Sequence, residues 1–303
     1  MRDQAERLRE IIDKIKIKQA NNNVDYLDGF RKRNARVITV TSGKGGVGKT
    51  NITINLGIAF AEMGLRVIIL DADFGLANID VLFGIIPKYT LLDVISNQKN
   101  VLEVLCDGPN RVKFISGGSG VEELVKLDKN QIQRFVNNIS LLDKLADIII
   151  IDTGAGLSER VMSFVMAADE VLLVTTPEPT SITDAYALIK MVSIRDKNKE
   201  IKVIVNRAEN NSEARDILNK LSLVAERFLS LKLSPLGYVL NDEAVIKAVK
   251  SQQPFILSYP KSQAAKQIKD ISKALVDEEL KKNEPENTGI KNFVNKLLRF
   301  MNS

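Results

Sequence analysis

The octapeptide Gly43-Lys-Gly-Gly-Val-Gly-Lys-Thr50 constrains this chain more than any other stretch. It fits G-x-x-x-x-G-K-[ST], a loop whose backbone N–H groups surround phosphate oxygens. The motif has meaning only between a strand and a helix, and the flanks supply both. Arg36–Ser42 is a β-branched run bounded by polar residues, as in a buried parallel strand. Ile52, Leu56, Ala59 and Phe60 then recur at helical spacing as far as the Gly64 stop. The expected nucleotide site runs from Gly43 through Lys44, Gly45, Gly46, Val47, Gly48, Lys49 and Thr50 to Asn51. Its amides face phosphate at the positive end of a helix. Lys49 should reach the β- and γ-phosphates of ATP, and the Thr50 hydroxyl should hold Mg²⁺. Lys44 is an additional cation that such a loop does not itself require.

Two more apolar runs end in carboxylates. Arg66-Val-Ile-Ile-Leu leads to Asp71 and Asp73, and Asp147-Ile-Ile-Ile-Ile leads to Asp152 and a Gly154–Gly156 turn. Parallel sheets place ligand groups at the carboxyl ends of their strands. Asp152 suits a Mg²⁺ ligand acting through water, because Mg²⁺ gives up its waters reluctantly. Asp71 is expected to support that metal shell, and Asp73 to orient an attacking water.

Further strands are predicted at 112–116, 171–175, 201–205 and 236–240, with helices over 180–192 and 212–229. Alternation of this kind implies one α/β domain with a doubly wound, mostly parallel sheet. A single cysteine and no histidine exclude an internal disulfide framework, zinc catalysis and a Ser-His-Asp site. The net charge of +5 suits either DNA or anionic lipid and decides neither. The N-terminus lacks a secretory pattern, and no apolar run approaches the roughly 20 residues of a membrane span.

The loop and the three carboxylates resemble the deviant Walker ATPases, the family of MinD and ParA, from about residue 36 to 280. Asp71-Ala-Asp-Phe-Gly-Leu-Ala-Asn-Ile-Asp80 is closer to the MinD branch. The resemblance implies that Lys44 crosses an ATP-dependent homodimer interface onto the other subunit's nucleotide. It also implies that Asn206, with Arg207 beside it, contacts adenine. Thr153-Gly154-Ala155-Gly156 departs from the pattern, since MinD proteins usually carry a proline there. Iron–sulfur relatives in the wider family need paired cysteines, which this chain lacks.

Both ends extend beyond that core, giving expected units of 1–35, 36–280 and 281–303. After a polar linker, Ile290, Phe293, Val294, Leu297, Leu298 and Met301 form one apolar stripe flanked by Lys291, Lys296 and Arg299. A basic amphipathic helix behind a linker suits reversible anchoring to an anionic membrane surface. The same stripe also fits a helix docked on the protein's own surface, and the linker favours the membrane. At the other end, Asp3, Gln4, Leu8 and Arg9 resemble the partner-activating motif of the FlhG family (YlxH, FleN), MinD-like ATPases that set flagellar number and position. That resemblance implies stimulation of an FlhF GTPase of the signal-recognition type, basal-body components as further partners, and a cytoplasmic protein peripheral to the membrane. A MinD-type regulator of division-site placement and a ParA-like DNA-binding segregation ATPase are the alternatives, with nucleic acid disfavoured.

Overall fold

The computed structural model describes residues 34–73, 78–117, 127–281 and 289–301. The β-branched runs become strands β1 (Arg36–Ser42), β2 (Val67–Ala72), β3 (Cys106–Asp107), β4 (Lys113–Ile115), β5 (Ile148–Ala155), β6 (Glu170–Thr175), β7 (Ile201–Ala208) and β8 (Leu233–Leu240). They form one sheet in the order β3-β4-β2-β5-β1-β6-β7-β8. Every pairing is parallel except β3 with β4. That two-residue antiparallel edge was not expected; it is too short to leave a periodic signal.

The helices of the described residues are α1 (Lys49–Glu62), α2 (Ile79–Phe83), α3 (Leu91–Ile95), α4 (Val101–Val104), α5 (Lys129–Ile139), α6 (Leu142–Leu145) and α7 (Glu159–Ala167). They continue as α8 (Pro179–Arg195), α9 (Asn211–Leu229), α10 (Glu243–Lys250), α11 (Phe255–Ser258), α12 (Gln263–Lys281) and α13 (Ile290–Met301). Local chemistry starts several of them. The Asp128 side chain accepts from the Asn130 and Gln131 amides at 2.7 and 2.9 Å, and Asn210 accepts from Glu213 N–H at 2.9 Å. Side chains of α1, α2, α11 and α12 fill the core on one face of the sheet. Those of α5, α7, α8, α9 and α13 fill the other. This is the doubly wound single domain the alternation implied.

The amino ends of β1, β6 and β7 are tied together by buried charge. Arg36 donates to Glu170 at 2.6–3.0 Å and to the Leu275 carbonyl of α12 at 2.8 Å. Lys202 lies 3.1 Å from Glu170 and also bonds Glu278 of α12. The carboxylates of the site lie at the opposite margin of the sheet, at the carboxyl ends of β2 and β5.

At the C-terminus the structure selects docking on the protein's own surface. Ile290, Phe293, Val294, Leu297 and Leu298 are buried, with Met301 partly so, in the core shared with α5 and α7. Each buried apolar side chain contributes about 1.5–3 kcal/mol, which offsets the ordering of a helix too short to persist alone. Phe293 packs on Phe164 of α7 with ring centroids 6.0 Å apart. Lys296 pairs with Asp169 at 2.8 Å. At the helix start, Asp143 of α6 accepts from Ile290 N–H at 2.8 Å. The linker thus does not prevent a fixed packing partner, because Asp143 fixes the first residue after it. No helix among the described residues is long and apolar enough to cross a membrane.

Candidate nucleotide site

The loop from Gly43 to Gly48 leaves the carboxyl end of β1 and enters α1. Two glycines are dictated by geometry. A Cβ at Gly43 would lie 2.3 Å from the backbone of Asp184 in α8. Gly48 has φ +88°, and a Cβ there would lie 2.4 Å from Asn206 Nδ2. By contrast, a Cβ at Gly45 or Gly46 would meet nothing within 4 Å, so the middle of the loop borders open space of the kind a phosphate cradle needs.

Asp152 is the centre of the arrangement. It is fully buried and sits in register with Val40 on β1 and Asp71 on β2. Lys49 Nζ donates to Oδ1 at 2.8 Å, Thr53 Oγ1 donates to Oδ1 at 3.0 Å, and Thr50 Oγ1 donates to Oδ2 at 2.7 Å. Sequence reasoning had missed Thr53; its position one turn after Lys49 was the available signal. The donor set (two hydroxyls, one carboxylate, one ammonium beside a glycine loop) fits a magnesium–triphosphate pair.

Asp71, expected to support the metal shell, also has a backbone role. Its Oδ1 accepts from Asp73 N–H at 3.0 Å, and Oδ2 accepts from Asn78 and Ile79 N–H at 3.0 and 3.3 Å. The carboxylate therefore organises the backbone that follows β2. Burial foremost, and then the Asp152 charge, push its pKa up to about 7 against those three donors. Asp73 lies beside the β5 turn, with Oδ1 3.5 Å from where a Gly154 Cβ would stand. It lines a cavity of about 200 Å³ with Gly154, Ser158, Arg160 and Phe164.

Lys44 is held within its own chain. Its Nζ pairs with Glu178 at 2.9 Å and donates to Thr180 Oγ1 at 2.9 Å, at the start of α8. The Lys44 hydrogen bond and charge hold the Glu178 carboxyl below its ordinary range. Neither Glu178 nor Thr180 stood out in the sequence, because nothing local marks a lysine's partner more than a hundred residues away.

On the far side of the loop, Asn206 Nδ2 donates to the Val47 carbonyl at 2.8 Å, and its Oδ1 accepts from Arg207 N–H at 3.0 Å. Arg207 has φ +58°. Gly48, Asn51, Asn206 and Arg207 line a cavity of about 490 Å³, closed opposite them by Val245, Ile246 and Val249 of α10. That apolar wall, with Ile246 53% exposed, is suited to a flat base and was not anticipated. Its sequence signal was the apolar spacing 245, 246, 249. The structure thus brings Lys49, Thr50, Asp71, Asp73 and Asp152 together at one end and Asn51, Asn206 and Arg207 at the other. Asp3, Gln4, Leu8 and Arg9 lie outside the described residues.

Residues 33–276 match the ParA family, described as the NUBPL iron-transfer P-loop NTPase. With one cysteine, this chain has no thiolate pair for the iron chemistry in that description. The antiactivator FleN of Pseudomonas aeruginosa is 44% identical over 237 residues, 78% of this chain and 85% of FleN. The flagellum site-determining protein YlxH of Helicobacter pylori is 35% identical over 306 residues, 99% of this chain and 100% of YlxH. Among solved structures, septum site-determining MinD of Pyrococcus horikoshii in complex with Mg-ADP has a TM-score of 0.63 at 26% identity, covering 82% of this chain and 96% of that one.

Proposed function

Because the chain belongs to the ParA/MinD family of P-loop ATPases, in the group that includes FleN and YlxH, we propose that it is an ATP-driven dimerising switch that controls flagellar number or position from the membrane surface. Its reaction is the hydrolysis of ATP to ADP and phosphate, the activity of that family.

In this reading the base lies between Asn206, Arg207 and the α10 wall, and the triphosphate lies along residues 43–50. Lys49 leaves Asp152 for the β- and γ-phosphate oxygens. Thr50 and Asp152 would hold magnesium, with Asp71 behind them, and the ion supplies neutralisation of phosphate charge. Asp73 orients the attacking water next to the Gly154 turn. Lys44 exchanges Glu178 and Thr180 for the nucleotide of a second subunit, where it stabilises charge developing on the phosphate oxygens as ADP departs.

The observation that carries the switch is the seat of α13 on α7. That helix begins three residues after the Gly156 turn, and its Phe164 touches both Phe293 and the Asp73 cavity. A turn rearranged by nucleotide therefore acts on the helix that holds α13. Two freed copies on one dimer bind an anionic membrane far more tightly than one, through effective concentration. The N-terminal segment stimulates an FlhF-type GTPase, with Gln4 as its polar contact, and basal-body components are the downstream partners. The high identity to FleN and the full-length match to YlxH support the flagellar role over division-site placement.

Flotation with phosphatidylglycerol vesicles tests this. Full-length protein should float with a non-hydrolysable ATP analogue and not with ADP, and Lys44→Ala should abolish both flotation and dimerisation. The same full chain should raise GTP hydrolysis by the flagellar GTPase, and Gln4→Ala should remove that effect. Flotation indifferent to nucleotide would overturn the membrane switch; an unaffected GTPase would overturn the partner assignment.

A further inference from the structure

The groove that holds α13 matches a second segment of the same chain. Into it α13 sends Ile290, Phe293, Val294 and Leu297, while Lys296 meets Asp169 at its edge. Near the N-terminus, Leu8, Ile11, Ile12 and Ile15 repeat that spacing residue for residue, and Lys14 falls at the place of Lys296. An amphipathic stripe alone is common, and such a stripe often meets only solvent. Here the matching lysine and the point of attachment add independent constraints.

Residues 1–33 join the described structure at Asn34, which lies at the mouth of this groove. A Cβ at Gly289 would stand 3.0 Å from both Asn34 Cβ and Asp143 Oδ1. Asp143 accepts from the first amide of α13, and it also accepts a backbone hydrogen bond from Ala35. One carboxylate thus holds the start of the C-terminal helix and the root of the N-terminal segment. Reach is ample. Residues 20–33 span up to about 45 Å when extended, whereas twelve helical residues occupy about 18 Å.

We infer that the groove between α5, α6 and α7 is an exchange site, and that residues 8–15 occupy it as a helix when α13 leaves. This rests on the proposed departure of α13 to the membrane. Leu8 takes the place of Ile290 beside Asp143, and Lys14 takes the place of Lys296 on Asp169. The replacement is the weaker tenant, because Lys16 and Gln19 fall where α13 has Leu298 and Met301. That ordering keeps α13 in the groove by default. It also makes the two tails alternatives. Leu8 and Arg9 belong to the segment proposed to engage the GTPase, so their docking withdraws that segment while α13 is on the membrane.

Hydrogen exchange of the amides of residues 8–15 reads this directly. Three full-length samples are needed: protein alone, protein with ATP and phosphatidylglycerol vesicles, and a Phe293→Asp/Leu297→Asp variant without vesicles. Exchange should slow at least tenfold in the second and third samples relative to the first, and Ile11→Asp should restore it. Unchanged exchange in the variant, with α13 amides shown to be fast, overturns the inference whatever the vesicles do. Slowing in the variant but not with vesicles supports exchange and removes the membrane reading instead. Slowing that grows with protein concentration assigns the groove to a second copy and overturns the intrachain assignment. Should the variant not fold, protein lacking residues 289–303 serves in its place with the same outcomes.

Discussion

The nucleotide crevice and the α13 groove meet at one helix, α7, yet they are built from opposite materials. In the crevice, recognition is by polar atoms with defined partners: Lys49, Thr50 and Thr53 all converge on the two oxygens of Asp152. In the groove, recognition is by the spacing of apolar side chains, with single carboxylates, Asp143 and Asp169, marking the ends. A polar site of this kind discriminates atom by atom, since an unpaired buried group is costly. An apolar groove discriminates by pattern and tolerates a change of occupant of similar volume. The first arrangement suits a fixed chemistry and the second suits a reversible contact.

That contrast has measurable consequences. Asp152→Ala should strike hardest, because it leaves the buried Lys49 ammonium unpaired and costs about 3–5 kcal/mol, read as a lower denaturant midpoint. A loss below about 1 kcal/mol would mean that the crevice does not depend on this pair. Phe293→Ala should cost about 3 kcal/mol, but locally. The amides of α13 should exchange about a hundredfold faster while those of β1 and β5 stay unchanged. Equal acceleration in both regions would erase the distinction between a stiff crevice and a detachable helix.

Titration sharpens the comparison at the base of the groove. Lys199 is buried and donates to the carbonyls of Met166 and Ala168 at the end of α7, the first at 2.9 Å. Burial, and next the Lys296 charge, lower its pKa to about 8, against the pull of Asp169 and Asp196. Below pH 8 both folded and unfolded chains carry the proton. Between about 8 and the ordinary 10.5 only the unfolded chain does, so stability should rise with pH by at most about 3 kcal/mol. Urea unfolding at pH 7.5 and pH 10 should show this rise in the natural chain relative to Lys199→Met; parallel behaviour would contradict the buried cation. Lys296→Ala should have the smallest effect, about 0.2–1 kcal/mol, because its ammonium is partly exposed. A larger loss would make the edge of the groove as exacting as the crevice.

The two regions also differed in how far they could be read beforehand. The phosphate loop, Asp152 and the strand ends were legible because motif, strand and helix follow one another within a few residues. Lys44's hold on Glu178 was not, since the partner arrives only when β6 is placed beside β1. The α13 stripe was legible as an apolar face, but its partner was not. A stripe states that a surface is needed and leaves open whether lipid or protein supplies it. Asp71 shows a subtler limit: its position was read correctly, while its three backbone donors depend on how the chain turns after β2.

The buried tie of Arg36, Glu170 and Lys202 gives the sheet a spine. It locks the amino ends of β1, β6 and β7, and the parallel ladder then holds the three strands in register toward their carboxyl ends. Binding work done in the crevice is then not dissipated as a general loosening of the domain. What remains outside that lattice is the chain beyond the strand ends, including the loops that lead from β5 into α7 and from β6 into α8.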